Sequence, residues 1–137
     1  MIAQGSCHCG AVHFTVTLSD GINSARRCDC SLCARRGAVA VSARKDDIVI
    51  TKGADNLTLY QFNTKAAEHY FCKTCGIYTH HRRRSNPDEI GVNLACLEGQ
   101  TPFLPEVLVH DGQNHPSDVG AELDVGILRF EPTKERS

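Results

Sequence analysis

The sequence lacks any long hydrophobic run. None of its 137 residues belongs to a stretch near the roughly 18 consecutive apolar residues that a membrane-spanning helix needs, so we expect no membrane partner. The first five residues also lack the basic start and apolar core of a secretory signal. The sequence therefore predicts a cytoplasmic protein, and its length predicts one domain over residues 1–137.

The sequence also lacks tryptophan and any excess of basic residues, and its net charge is −1. Proteins that bind nucleic acid usually carry a basic excess, so we do not expect a nucleic-acid partner. Arginines nevertheless cluster at three places: Arg26-Arg27, Arg35-Arg36 and Arg82-Arg83-Arg84. Each cluster is either a solvated face or a site for a small anion, because arginine binds carboxylates with two parallel hydrogen bonds.

No amphipathic helix of about ten residues can be recognised, and short strands dominate the pattern. Apolar and polar residues alternate from Val12 to Leu18, which predicts a half-buried strand. Further strands are predicted at 39–41, 48–51, 57–62, 69–71, 77–81, 90–95 and 127–130. Ser31 could cap one helical turn that ends at Arg36, and loops are predicted at 82–89 and 110–118. This pattern predicts a mainly β fold, an antiparallel sheet or sandwich.

Cysteine is abundant, with eight residues in the chain. A reducing cytoplasm disfavours disulfides, so this usage indicates metal binding or redox chemistry. Cys96 stands apart because it ends an apolar stretch, and we interpret it as a small core residue rather than a ligand.

Four cysteines have the spacing of a structural metal site. The sequence Cys72-Lys73-Thr74-Cys75-Gly76 has the form of a zinc knuckle, although a lone C-x-x-C also occurs in redox dithiols at helix N-termini. Cys7 and Cys9 would face the same side of a strand and supply two more thiolates. Together these residues, the four-cysteine cluster, would complete a tetrahedral shell with no open position.

Cys28, Cys30 and Cys33 form a second group, the three-cysteine cluster. Three thiolates with an exchangeable fourth position are typical of a catalytic zinc, and a zinc ion with three thiolates suits a thiol substrate. The cluster could instead bind an iron–sulfur centre, act as an unliganded redox sensor, or close into a second structural site. In the last case the fourth ligand would be a histidine, for which the candidates are His8, His69, His80 and His81.

The cysteine motifs have a fixed order and spacing along the chain. They read Gly5-x-Cys7-x-Cys9-Gly10-x-Val12-x-Phe14, then Cys28-x-Cys30-Ser31-x-Cys33-x-x-x-Gly37, then Phe71-Cys72-x-x-Cys75-Gly76. From about Gly5 to Leu97 the chain resembles the glutathione-dependent formaldehyde-activating enzyme family. The resemblance implies a β-tent of short antiparallel sheets stacked around two zinc ions per chain. It implies a structural zinc in the four-cysteine cluster and a catalytic zinc in the three-cysteine cluster.

The family's reaction joins formaldehyde and glutathione into S-hydroxymethylglutathione and is classed as carbon–sulfur lyase chemistry. We expect a bound thiolate, glutathione first, to add to an aldehyde carbon. Arg35 and Arg36 could hold a carboxylate, Asp29 could take the ammonium group, and His80 or His81 could protonate the alkoxide. His80 is the histidine that we assign to the substrate. No role is assigned to three other histidines, His69, His110 and His115.

Two alternatives stay open at this point. The chain could be a non-catalytic binding module in which both zinc ions are structural. It could also be an enzyme of the same fold that acts on a different thiol adduct. Whether the fourth position of the three-cysteine cluster is closed discriminates the binding module from an enzyme. A homodimer is compatible with every one of these interpretations.

Overall fold

A computed structural model of the chain describes residues 1–62, 65–84, 86–113 and 123–134. The fold is mainly β, as the sequence predicts. No helix in the described ranges has the length and hydropathy of a membrane span. The only α-helix among them is α1, Ser31–Arg36. The strands are β1 Ile2–Ser6, β2 His13–Leu18, β3 Arg26–Cys28, β4 Ala40–Lys52, β5 Leu57–Tyr60, β6 Glu68–Cys72, β7 Tyr78–Arg82, β8 Glu89–Asn93, β9 Glu106–His110 and β10 Asp124–Arg129.

The strands form one continuous sheet in the order β10-β9-β3-β4-β8-β7-β6-β5. Every pairing is antiparallel except that of β3 with β9. Strand β4 is long enough to pair with two strands along its length. Its first residues pair with β8 and its later residues pair with β2. Strand β2 in turn pairs with β1. This topology places the beginning of β4 near α1 and its end near the turn that follows β1.

The structure corrects several boundaries predicted from the sequence. The strands predicted at 39–41 and 48–51 are one strand, β4, because charged residues between them sit on an exposed stretch of the same strand. The strand predicted at 90–95 ends at Asn93, whose side chain caps a 3-10 helix over Leu94–Cys96. Strands β1, β3 and β9 were not predicted. Of the predicted loop at 110–118, His110 ends β9, and residues 114–118 lie outside the described ranges.

The core consists of two groups of buried side chains. The larger group packs β2, β4 and β8 together through residues such as Phe14, Val41 and Val92. The smaller group contains Val12 and two members of the four-cysteine cluster, Cys7 and Cys72. The smaller group thus continues the core up to the first cysteine site.

Members of the first and third arginine clusters make contacts that stabilise the sheet. Arg26 is buried and donates hydrogen bonds to the carbonyl oxygens of Ser24 and Ala40 and to the hydroxyl of Ser42. Arg83 forms an ion pair with Glu89 at 2.9 Å. Arg26 and Arg83 therefore have structural partners within the chain.

Candidate metal centres

The four-cysteine cluster converges on one point although its members are up to 68 residues apart. Its four Sγ atoms all lie within 4.8 Å of one another. The Sγ of Cys9 lies 3.7 Å from those of both Cys7 and Cys72. A tetrahedral shell with metal–sulfur bonds of about 2.3 Å puts neighbouring sulfurs about 3.8 Å apart. The spacing therefore fits a four-thiolate metal site, and it is too long for disulfide bonds.

Backbone turns, rather than a strand, bring Cys7 and Cys9 together. The prediction that both lie on one strand is wrong, because β1 ends at Ser6 and the two residues follow in a turn. Gly10 closes this turn with a φ of 79°, and Gly76 closes the matching turn after Cys75 with a φ of 77°. Glycine adopts such angles without steric cost, so each cysteine pair is followed by the residue that its turn requires.

Hydrogen-bond donors surround the sulfurs of this cluster. The amide of Val12 lies 3.3 Å from Cys7 Sγ, and the side-chain amide of Asn56 lies 3.3 Å from Cys72 Sγ. The pKa of Cys72 is lowered to about 6, and the main cause is a hydrogen bond from the backbone N–H of Cys75. Such donors stabilise thiolates, which are the form of cysteine that binds metals.

The three-cysteine cluster lies where β3 meets α1. Cys28 ends β3, Cys30 precedes α1, and Cys33 lies one turn into the helix. Their Sγ atoms all lie within 4.8 Å of one another. The first turn of a helix folds back on its cap, so a C-x-x-C segment at this position brings two sulfurs to one side.

Cys30 caps α1, so the predicted cap Ser31 is wrong by one residue. The Cys30 Sγ accepts a hydrogen bond from the amide of Cys33 at 3.3 Å. Thiol hydrogen bonds from Cys28 and Cys33, together with backbone N–H groups, lower the pKa of Cys30, whereas the pKa of Cys28 is raised mainly by its hydrogen bond to Cys30. These hydrogen bonds favour the thiolate form of Cys30, which is the form of cysteine that binds a metal.

The three-cysteine cluster is partly exposed and has only three ligands among the described residues. All three residues are partly exposed. In the other cluster Cys7 and Cys72 are buried, Cys75 is partly exposed and Cys9 is exposed. Within the ranges that the structure describes, no histidine, cysteine or carboxylate ligand atom joins the three sulfurs as a fourth. The four histidines considered as a fourth ligand, His8, His69, His80 and His81, all lie in those ranges and do not join the cluster.

Gly112 forms one wall of the three-cysteine cluster, a role that the sequence alone did not suggest. A Cβ at this position would collide with Cys28 Sγ and lie 2.6 Å from the amide nitrogen of Cys30. Its own N–H donates to the Oδ1 of Asp29 at 2.7 Å, and the N–H of Asp29 donates to the carbonyl of His110 at 3.2 Å. Asp29 therefore ties the cysteine loop to the end of β9. The parallel pairing of β3 with β9 makes this contact, and no local sequence signal reveals it.

Arg36 connects the three-cysteine cluster with the sheet. Its guanidinium donates to Cys33 Sγ at 3.6 Å, lies 3.1 Å from His69 Nδ1, and stacks 3.7 Å above the ring of Tyr78. Its Nε is buried and has no hydrogen-bond partner among the described residues. Arg35, its neighbour, is exposed and donates to the carbonyl of Ser31. Of the two predicted substrate residues in α1, the structure thus brings Arg36 into contact with the cysteine site.

Two stacked histidines continue the contacts of Arg36 along the sheet. The rings of His69 and His81 lie 5.3 Å apart, and Phe62 stacks on the outer side of His69. Burial and the charge of Arg36 lower the pKa of His69 to about 4, and the same causes hold the pKa of His81 well below its usual value. Both rings are therefore neutral at pH 7.

His80 lies elsewhere. Its ring stacks on Tyr70 at 4.7 Å and borders a shallow depression that also contains Lys45 and Arg82. Its neighbours along β7, including His81, point to the opposite face of the sheet, as expected for a strand. The structure therefore does not bring His80 together with the three-cysteine cluster.

Cys96 belongs to neither cluster. Its thiol donates to the carbonyl of Tyr78 at 3.5 Å, and burial raises its pKa to about 12. It packs against the larger core group, in agreement with the interpretation from the sequence.

Comparison with known proteins identifies the family. Residues 2–111 match the family described as glutathione-dependent formaldehyde-activating enzyme. The chain belongs to this family. The matched range contains both cysteine clusters and ends one residue before Gly112.

Two known proteins are similar to this chain. A protein of Halomonas elongata, named as a putative glutathione-dependent formaldehyde-activating enzyme, is 36% identical over 83 residues. The match covers 55% of this chain and 52% of that protein, so the chain spans about half the length of this curated relative. A crystal structure of a Rhodobacter sphaeroides protein is 63% identical, with a TM-score of 0.71 over 72% of this chain and 91% of the other.

Proposed function

We propose that this protein is a zinc-dependent carbon–sulfur lyase that forms or cleaves the adduct of glutathione with formaldehyde or a related aldehyde in the cytoplasm. One observation carries the proposal: three cysteines converge at a partly exposed site without a fourth ligand among the described residues. The other four converge in a shell that is already complete. A closed shell stabilises structure, whereas an open position admits a substrate.

The donor set favours zinc in both sites. All seven ligand atoms are sulfur, and tetrahedral sulfur sites are typical of zinc or of iron–sulfur centres. We expect Cys7, Cys9, Cys72 and Cys75 to hold a structural ion. Cys28, Cys30 and Cys33 would hold the catalytic one. Zinc at the second site would lower the pKa of a thiol so that its thiolate is available near neutral pH.

Arg35 and Arg36 supply positive charge beside this site. Glutathione carries two carboxylates, and arginine recognises carboxylates through paired N–H donors. Arg36 contacts the cluster directly through Cys33, so it is placed to bind the carboxylate nearer to the sulfur. Arg35 is exposed on the adjacent helical position and is available to the more distant carboxylate.

His69 takes the place that we expected for His80. Arginine only donates hydrogen bonds, so its contact with His69 Nδ1 requires that nitrogen to accept and fixes the proton on Nε2. A neutral imidazole with a fixed N–H can stabilise the negative oxygen that develops when a thiolate adds to an aldehyde carbon. In that step the C–S bond forms, the carbonyl π electrons move to oxygen, and the thiol's released proton returns to that oxygen through solvent.

Exchange spectroscopy by NMR tests this function. Glutathione, formaldehyde and their adduct would be mixed with the zinc-loaded protein, with Cys30→Ala, and with Cys96→Ala as a control that removes a cysteine outside both clusters. We expect faster exchange with the intact protein and the control variant but not with Cys30→Ala. Equal rates with and without intact protein would contradict the proposed reaction.

The same series separates the two alternatives. If a different thiol or aldehyde, but not glutathione with formaldehyde, exchanges faster in a Cys30-dependent manner, the substrate assignment is wrong and the site assignment holds. If no thiol or aldehyde pair is accelerated and both ions resist exchange with added thiols, the chain is a binding module with two structural metals.

A further inference from the structure

Strand β10 ends the sheet and is exposed along its whole length. All six of its residues are exposed, and the apolar ones among them are large. Within the described ranges, β9 is the only strand that pairs with it. An exposed apolar edge strand is a template for pairing with another chain unless it is covered.

The backbone of β10 has a defined inner and outer edge. Phe130 donates its N–H to Pro105, and the carbonyl of Leu123 accepts from Asp111, so both residues direct their backbone groups toward β9. Residues alternate along a strand, and Ile127 and Arg129 therefore direct their backbone groups away from β9. These are the groups that a further strand would bond.

A bulge places three side chains of β10 on one face. Asp124, Ile127 and Arg129 lie opposite His110, Leu108 and Glu106, which are spaced two apart on β9 and share a face. The irregularity between Asp124 and Gly126 brings Asp124 onto that face, although it is three residues from Ile127. Asp124 and Arg129 therefore lie on opposite sides of Ile127 along this face, and each is the same number of strand positions away from it.

We propose that β10 pairs antiparallel with β10 of a second copy of this chain, around a two-fold axis at Ile127. In this register the two Ile127 side chains meet, and Arg129 of each copy faces the partner's Asp124. The surface is thus complementary to itself, as a two-fold dimer requires. Pairing would also bond the outward backbone groups of both strands and continue the sheet across two chains.

Existing side-chain contacts within each chain extend this complementarity. Within one chain Arg129 lies 3.3 Å from Glu106, and Asp124 lies 3.2 Å from His110. Across the axis the order of side chains becomes Glu106, Arg129, the partner's Asp124 and the partner's His110. Carboxylates and nitrogen-bearing side chains alternate along this row, and the arginine and aspartate that face each other across the axis carry opposite charges, which is stabilising.

Charge reversal tests the register directly. Asp124→Arg places two arginines opposite each other at both ends of the interface, and Arg129→Asp places two acids there. We expect each variant alone to weaken self-association at least about tenfold. An equimolar mixture should associate again, because every facing pair then combines an arginine with an aspartate. Analytical ultracentrifugation of the full zinc-loaded chain measures all three samples.

Two controls complete the experiment. Ile127→Pro removes an N–H that faces away from β9, so it should give a folded monomer that mixing does not restore. Lys45→Asp and Asp88→Lys reverse an exposed ion pair far from β10 in the sheet and should leave the dimer unchanged. A wild-type chain that stays monomeric through the micromolar range would overturn the proposal. A dimer whose strength is the same in all four charge-reversal variants would also overturn it. An equimolar mixture that fails to reassociate would do so as well.

Discussion

Gly112 lies directly against the thiol of Cys28, so close that no side chain fits between them. This contact joins the end of β9 to the three-cysteine cluster and fixes the position of the sulfurs. Gly112 lies outside the matched range of the family and outside every motif in the sequence, yet it sets the shape of the open site.

The first prediction concerns this contact. Gly112→Ala should displace the loop of Cys28 and Cys30 and weaken metal binding at that cluster by about tenfold to a hundredfold. The four-cysteine cluster should keep its metal. Gly126→Ala is the matched control, since a Cβ there meets no atom within 4 Å. Metal content measured after dialysis against a weak chelator distinguishes the two variants, and equal loss from both would contradict the role of Gly112.

Removal of ligands should affect the two clusters differently. Cys72→Ser should lower the melting temperature strongly, because this buried residue belongs to both the four-cysteine site and a core group. Cys30→Ser should remove one metal ion per chain and leave most of the stability in place, since its cluster is partly exposed. Metal stoichiometry and thermal unfolding of each variant check this, with Cys96→Ala as the cysteine control. A stable Cys72→Ser chain with both ions would show that the assignment is wrong.

Arg36 should contribute more to turnover than Arg35. Arg36→Met removes the donor to Cys33 and His69, and it should lower kcat/KM in the exchange assay by about tenfold to a hundredfold. Arg36→Lys should recover only part of this loss, because a lysine cannot make both contacts at once. The Arg35 side chain donates to a carbonyl of its own helix, so Arg35→Met should mainly raise KM. The assignment fails if the two methionine variants lose activity equally through KM.

The buried His80 should make stability depend on pH. Burial lowers the pKa of His80 to about 4, so the unfolded chain, in which the pKa is about 6.5, binds this proton more readily. Stability should therefore be complete above pH 6.5 and fall as the pH decreases toward 4, by about 2.5 kcal/mol at pH 4.5. His80→Gln should remove only the share of this loss that His80 contributes, because burial also lowers the pKa values of His69 and His81, and the exposed His13→Gln should leave the profile unchanged. Chemical denaturation between pH 4.5 and 7.5 measures both.

The sequence predicted those features that depend on local pattern. The cysteine motifs, their grouping into sets of four and three, and the alternation in β2 are all readable from spacing alone. The metal clusters were predictable because glycine-closed turns and i, i+3 spacing bring thiolates together almost independently of the rest of the fold. The assignment of Cys96 to the core followed from its apolar surroundings.

Features that depend on distant contacts were not predictable. Strand β3 contains two arginines and a cysteine and shows no strand pattern, and it forms because β4 and β9 pair with it on either side. The choice between His80 and His81 depended on which face of β7 is turned toward α1, and only the sheet order decides that. Cys30 rather than Ser31 caps the helix because a thiolate held between two other sulfurs accepts the N–H of Cys33.

That cap has a further consequence. One sulfur atom both begins α1 and belongs to the metal site, so the order of the helix and the state of the site change together. The amide hydrogen of Cys33 should exchange slowly with solvent when Cys30 carries its charge and rapidly when that sulfur is oxidised or alkylated. A single backbone proton thus reports on the chemistry of the open site, with no need to observe a metal or a substrate.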